Sequence, residues 1–199
     1  MAGGRIRERA VAPTSVGYVE AVDEEAIAEW IWQARQQGEL LTAPSREGAP
    51  LDLAAAYRVQ RAVTQRRIAS GQRVVGWKLG FTSGVMREQM GIQEPNYGPL
   101  TDVMALTNGA MAPAFLRQPR VEPEVALVVS DDIEPGTPWY EVREYVGSAR
   151  AALEVVDSSW VDYRFDLADN TADSSSVGAS SWAMRSRSGC SRRCGWRWM

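Results

Sequence analysis

Gln118-Pro-Arg-Val-Glu-Pro-Glu-Val-Ala-Leu-Val-Val129 decides how this chain is read, because it sets two carboxylates into a run that is otherwise rich in apolar residues. Such a run favours a strand, and side chains on a strand alternate between faces. Glu122, Glu124, Ala126 and Val128 therefore share one face, and Val121, Val125, Leu127 and Val129 the other. A second strand-like run, Ala151-Ala-Leu-Glu-Val-Val-Asp157, puts Glu154 on the face opposite Leu153 and Val155. Three carboxylates in two strands expected to be buried need a counter-charge, since an unpaired buried carboxylate is strongly destabilising or takes up a proton. A Lys or Arg partner meets that need, and so does a cation with oxygen-only ligands: Mg²⁺, Mn²⁺ or Ca²⁺. Glu-x-Glu on the solvent side of an edge strand, where Pro123 also fits, is the alternative that the spacing leaves open.

Composition narrows the chemistry. A chain of 199 residues suits one domain, and 45% hydrophobic with 24% charged residues is ordinary for a globular protein. The net charge of -3 argues against a general nucleic-acid binder. No apolar run approaches the ~20 residues that span a bilayer, and the first residues lack a signal-peptide core, so the cytoplasm is the expected compartment. There is no histidine, which excludes His-dependent triads, His metal ligands and His general bases. Cys190 and Cys194, the two cysteines, form no disulfide framework and no four-ligand zinc site.

Outward from the glutamates, residues 1–20 read as a flexible leader. Asp23-Glu-Glu opens a helix with Ile27, Trp30, Ile31 and Ala34 on one face, and Asp52 caps a second that carries Ala56, Val59 and Val63 and ends at Gly71. Arg73–Phe81 reads as a strand with Lys78 between Trp77 and Leu79, either tuned for proton transfer or snorkelling at the surface. A short helix over Val85–Met90, a loop entering a strand over Asn96–Val103 with Asp102 among apolar residues, and a turn at Thr107-Asn-Gly109 follow. Thr137-Pro138 predicts a helix to about Ala149. Asp162–Gly178 is polar, as site loops and plain surface loops both are. From Ala179 onward the chain is rich in Arg and Trp, holds both cysteines, and has no acidic residue and no Leu, Ile or Val. Such a stretch is expected to supply no core strand; it reads as an aberrant C-terminus or, alternatively, as a basic arm for nucleic acid.

Val75-Gly-Trp-Lys-Leu-Gly-Phe-Thr-Ser83, Asn96-Tyr-Gly-Pro-Leu-Thr-Asp102, Gln118-Pro-Arg-Val-Glu-Pro-Glu124, Leu153-Glu-Val-Val-Asp-Ser158 and Ala172-Asp-Ser-Ser-Ser176 together resemble the 2-keto-4-pentenoate hydratase and 4-oxalocrotonate decarboxylase family, within the fumarylacetoacetate hydrolase superfamily. The resemblance implies an α+β fold: a mixed β-sheet roll of the fumarylacetoacetate hydrolase C-terminal type with flanking N-terminal helices. Residues 21–178 would be a partial catalytic domain and 179–199 a non-family tail, leaving the sheet incomplete and apolar strand faces exposed. It further implies Glu122, Glu124 and Glu154 as ligands of Mg²⁺ or Mn²⁺, Lys78 as the proton-transferring lysine, Asp102 as an acid/base or orienting carboxylate, and Ser176 as a substrate-contacting hydroxyl. Ser174 stands where the family commonly has Asn. The expected activity is hydration of 2-hydroxypenta-2,4-dienoate-type acids from aromatic catabolism; decarboxylation of 4-oxalocrotonate and an inactive truncated member are the alternatives. Expected partners are a 2-oxo or 2-hydroxydienoic acid, no nucleic acid and no membrane, with a homo-oligomer where the fold is complete.

Overall fold

A computed structural model describes residues 23–106 and 116–182. The expected leader, the Thr107-Asn-Gly109 turn and the tail beyond Trp182 lie outside the described residues.

The helices form where the sequence carries start and stop signals. α1 (Glu24–Gln37) begins where the Asp23 carboxylate accepts from the Ala26 N–H at 3.0 Å, and ends at Gly38, whose φ of 67° is a conformation few side chains tolerate. α2 (Leu53–Ala69) is capped in the same way by Asp52, which accepts from the Ala55 N–H at 2.6 Å. Ile27, Ile31 and Ala34 of α1 pack against Ala56, Val59 and Val63 of α2, around a fully buried Trp160. The Trp160 indole N–H donates to the Asp169 carbonyl at 2.9 Å, so its polar edge is satisfied as well. Truncating Trp160 to Ala would cost about 3–5 kcal/mol, enough to unfold a marginal domain.

Beside this helical core lie two small sheets. β1 (Val74–Gly80) and β2 (Asn96–Thr101) are antiparallel with Lys78 opposite Gly98, and α3 (Gly84–Met90), capped by Ser83, lies between them in sequence. The second sheet contains β3 (Ala105–Leu106), β4 (Arg120–Val129), β5 (Val146–Val156) and β6 (Val177–Trp182), in the order β3-β6-β5-β4. Its β3-β6 pair is parallel and the other two pairs are antiparallel. The far face of β4 and β5 carries Val121, Val125 and Leu153, which are 62%, 68% and 51% exposed.

Three expectations change. The helix predicted to Ala149 shrinks to α4 (Trp139–Val142) and a 3₁₀ turn, and β5 starts at Val146, five residues before the expected strand. From there half-buried and exposed residues alternate, so strand pairing prevails over the helix-start signal. β6 runs to Trp182, into the stretch expected to supply no strand: its backbone pairs with β5 from Ala179↔Val155 to Trp182↔Ala152, and ladder hydrogen bonds need no Leu, Ile or Val. The polar segment 162–178 includes α5 (Leu167–Ala172), and the run from Ala168 to Gly178 is buried.

Candidate metal centre

β4 and β5 bring the glutamates together through their register. Glu122 lies directly opposite Glu154 and Glu124 opposite Ala152, which puts the three carboxylates on one face. Each offers an oxygen, and the three oxygens lie within 4.8 Å of one another. Trans oxygens on Mg²⁺ are about 4.2 Å apart, so small side-chain rotations close this set on an ion. Glu122 and Glu124 are exposed, whereas Glu154 is buried. The expectation of three buried carboxylates thus holds for one, because β4 is an edge strand. Burial raises the Glu154 carboxyl above its ordinary value; Lys78 pulls it down, while Glu122 and Glu124 push it up.

Lys78 arrives from the other sheet. Its side chain is 8% exposed, and Nζ lies 3.0 Å from Glu154 Oε1. That contact is charge against charge, off the alignment of a hydrogen bond; the aligned bond runs from Nζ to the Ser175 carbonyl at 2.8 Å. A side chain this well covered does not snorkel at the surface. Ser174, Ser175 and Ser176 all adopt left-handed φ values of 56–57°, strain that the surroundings must hold in place. A buried amide network does so: Asn96 donates to Asn170 at 2.8 Å, Asn170 donates to Ser176 Oγ at 2.9 Å, and Ser175 Oγ donates to Asn96 at 3.0 Å. Behind it, Asp173 binds Arg35 of α1 at 2.6 Å and accepts from Ser159 N and Oγ.

Glycine lets the hairpin approach this loop. A Cβ on Gly98 would collide with the Ser174 backbone, and one on Gly80 with Asn96 and Ser175.

Two clefts flank the cluster. One, of about 490 Å³, is lined by Lys78, Glu124 and Glu154 with Trp77, Leu79 and Leu100; the other, of about 390 Å³, is lined by Lys78, Glu122, Glu124, Ser176, Arg120 and Tyr163 among others. Arg120 shares the glutamates' face, with its guanidinium 3.8 Å from the centre of the Tyr163 ring. Tyr163, its hydroxyl against the Gln118 and Val156 carbonyls, is pushed up to about 12 by burial.

Five of the six expected site residues meet here; Asp102 does not. It lies at the other end of the hairpin, accepting from Arg73 N and Nε, each at 3.0 Å, and lines neither cleft. Those contacts, the backbone N–H first, hold its carboxyl below the ordinary range. Asn96, Asn170, Arg120 and Tyr163 were not singled out by the sequence. Their linear signals, an amide, a basic or a phenolic side chain within a polar or strand-like run, do not reveal which partners they meet.

No family model matches the chain. Over 157 residues it is 38% identical to a 2-keto-4-pentenoate hydratase of Paraburkholderia xenovorans, covering 77% of this chain and 58% of that one. Over 151 residues it is 33% identical to a 2-hydroxypent-2,4-dienoate hydratase of Pseudomonas putida, covering 74% of this chain and 68% of the relative. The chain belongs to the 2-keto-4-pentenoate hydratase family. It spans little more than half the length of the first of these hydratases. Its fold matches that of 4-oxalocrotonate decarboxylase from Pseudomonas putida G7, complexed with magnesium and adipate, with a TM-score of 0.76 and 27% identity over 84% of this chain and 65% of that one. The same decarboxylase has also been solved with calcium and acetate.

Proposed function

We propose that this member of the hydratase family is a metal-dependent hydro-lyase that adds water to 2-hydroxypenta-2,4-dienoate and related 2-oxo or 2-hydroxydienoic acids. The observation that carries this reading is the convergence of three carboxylate oxygens within 4.8 Å beside the buried Lys78 amine. Glu122, Glu124 and Glu154 would hold the ion, an oxygen-only set that fits Mg²⁺ or Mn²⁺. When bound, such an ion supplies positive charge to the negative charge that develops on the 2-oxygen of a 2-oxo acid. Lys78, fixed by the Ser175 carbonyl and Glu154, holds or moves a proton at C3 or C5 of the dienol, and water adds at C4. Ser176 offers its hydroxyl to the substrate from the strained loop. Asp102, tied to Arg73, orients the Lys78 strand from the hairpin's open end rather than touching the reacting atoms. The two sheets would form part of a fumarylacetoacetate hydrolase-type roll, with 21–178 as a partial catalytic domain. The resemblance also carries the cytoplasm and a homo-oligomer as expectations.

Loss of diene absorbance on adding 2-hydroxypenta-2,4-dienoate and Mg²⁺ to the full chain tests this; no turnover with Mg²⁺ or Mn²⁺ would contradict it. Arg120 favours a second reading, decarboxylation of 4-oxalocrotonate, because its guanidinium faces the same cleft as the glutamates and can bind a second substrate carboxylate. A solved relative of similar fold is complexed with adipate, a dicarboxylate. Under this reading Arg120→Ala raises KM for the diacid at least about tenfold, the loss of one charge-assisted contact. Under the hydratase reading KM for the monoacid stays unchanged in the same variant.

A further inference from the structure

Away from the glutamates, Arg67 of α2 is 7% exposed, and among the described residues its Nε and Nη2 have no hydrogen-bond partner. A guanidinium is costly to bury without acceptors, and native structures leave such a group unmet only where something else meets it. The neighbouring acids do not. Asp173 is taken by Arg35, through Nε at 3.1 Å and Nη2 at 2.6 Å, and by Ser159; Asp157 Oδ1 accepts from the Arg117 and Gln118 N–H groups. Arg35 is itself spent on Asp173 and on the carbonyls of Val177 and Asp157, and its charge lies close enough to disfavour that of Arg67.

Arg67 lines a cavity of about 320 Å³, with Arg35 and Arg117 also in its walls and Val103, Met104 and Val177 as apolar lining. Among the described residues, this cavity shares no lining residue with the two clefts of the metal centre. Asp173 neutralises Arg35, which leaves Arg67 and Arg117 as the cavity's other cations, facing Glu39 and Asp157. A guanidinium presents a planar fork of donors that matches carboxylate and phosphate oxygens two at a time.

We infer that this cavity is a second ligand site, in which Arg67 binds one oxyanion group, a carboxylate or a phosphate, of a small molecule. The site is built rather than incidental: the unmet donors belong to a buried guanidinium that lines it, Asp173 and Asp157 Oδ1 are held by other donors, and the space suits a small organic acid or inorganic phosphate. Its floor includes Asp157 and Val177, which directly follow β5 and Ser176, so an occupant touches the segments that position Glu154 and the serine loop.

Thermal melts of the full chain test this, with inorganic phosphate and with malonate titrated separately at constant ionic strength in EDTA. The Glu124→Gln protein run in parallel keeps chelation at the glutamates out of the reading. A saturable rise in Tm is expected. A response to phosphate alone identifies a phosphate ligand, a response to malonate alone an organic acid, and a response to both the shared oxyanion chemistry. Arg67→Met should abolish the rise, and Arg67→Lys should weaken the apparent affinity about tenfold, since an ammonium lacks the fork. Should Arg67→Met fail to fold, Arg67→Lys with Arg117→Ala at the cavity wall gives the same comparison. No saturable rise with either anion, or equal rises in wild type and both Arg67 variants, would overturn the inference.

Discussion

Glu122 and Glu154 are register partners across β4 and β5, two carboxylates directly opposite one another on the same face. Like charges in that position repel by about 0.2–1 kcal/mol, so the ion-free pair works against the sheet that holds it. Glu122→Gln should therefore stabilise the protein slightly in EDTA and abolish the rise in melting temperature that Mg²⁺ gives the wild type. That rise corresponds to about 2.7 kcal/mol at a hundredfold excess over Kd. An undiminished Mg²⁺-induced rise in Glu122→Gln would remove this residue from the ligand set.

The role proposed for Lys78 is proton transfer, not ion binding. Lys78→Met should lower kcat by about 10²–10⁴-fold, the usual contribution of a positioned acid or base, while Mn²⁺ affinity stays within about tenfold. A loss of Mn²⁺ binding with kcat intact at saturating ion would reverse the assignment.

The approach of the hairpin to the serine loop depends on Gly98. Gly98→Ala should cost about 1–3 kcal/mol, because the colliding atoms belong to the Ser174 backbone and cannot swing aside. Gly84→Ala, at the start of α3 where a Cβ would meet only the mobile end of Arg87 at 3.9 Å, should be neutral. Urea midpoints and turnover measured on both variants separate the two outcomes; a neutral Gly98→Ala would mean that the loop is not held against β2.

Burial, aggravated by Arg35 and eased by Asp173, lowers the Arg67 guanidinium from its ordinary range to about 9. The folded state therefore disfavours its charge: between about 9 and the unfolded value the unfolded chain binds more protons, and this group's contribution to stability rises with pH across that window. Below about 9 the full penalty applies. In anion-free buffer at pH 7, Arg67→Met should be more stable than wild type, on the order of 1–4 kcal/mol, and the difference should narrow above pH 9. Denaturant melts at pH 7 and pH 10 read it directly; a destabilised variant at pH 7 would show that Arg67 is satisfied in the fold.

Much of the site was legible because it depends on short-range periodicity and on motifs that sit within single elements. Glu122 and Glu124 are two residues apart on one strand, and period-two alternation alone aligns them; Asp23 and Asp52 declare their helices by capping chemistry. What failed depends on long-range pairing. The Arg73–Asp102 contact, the Asn96–Asn170–Ser176 chain and the burial of Asp169 and Asp173 join segments that lie far apart in sequence, and polar composition alone made 162–178 look like a loop. The α4–β5 boundary failed differently: Thr137-Pro138 is a sound start signal, but a helix start does not set a helix length, and pairing with β4 from Val146 onward prevailed.

The most direct test of the central claim is Mn²⁺ binding by the full chain, followed through water-proton relaxation, with Glu154→Gln as the comparison. Glu154 is the buried member of the three and the one in contact with Lys78. A single Mn²⁺ site in the wild type, weakened in Glu154→Gln by more than the ~10–100-fold typical of losing a supporting residue, is the predicted result. Equal Mn²⁺ affinity in the two proteins would contradict it and leave the glutamates as an acidic edge with no ion to hold.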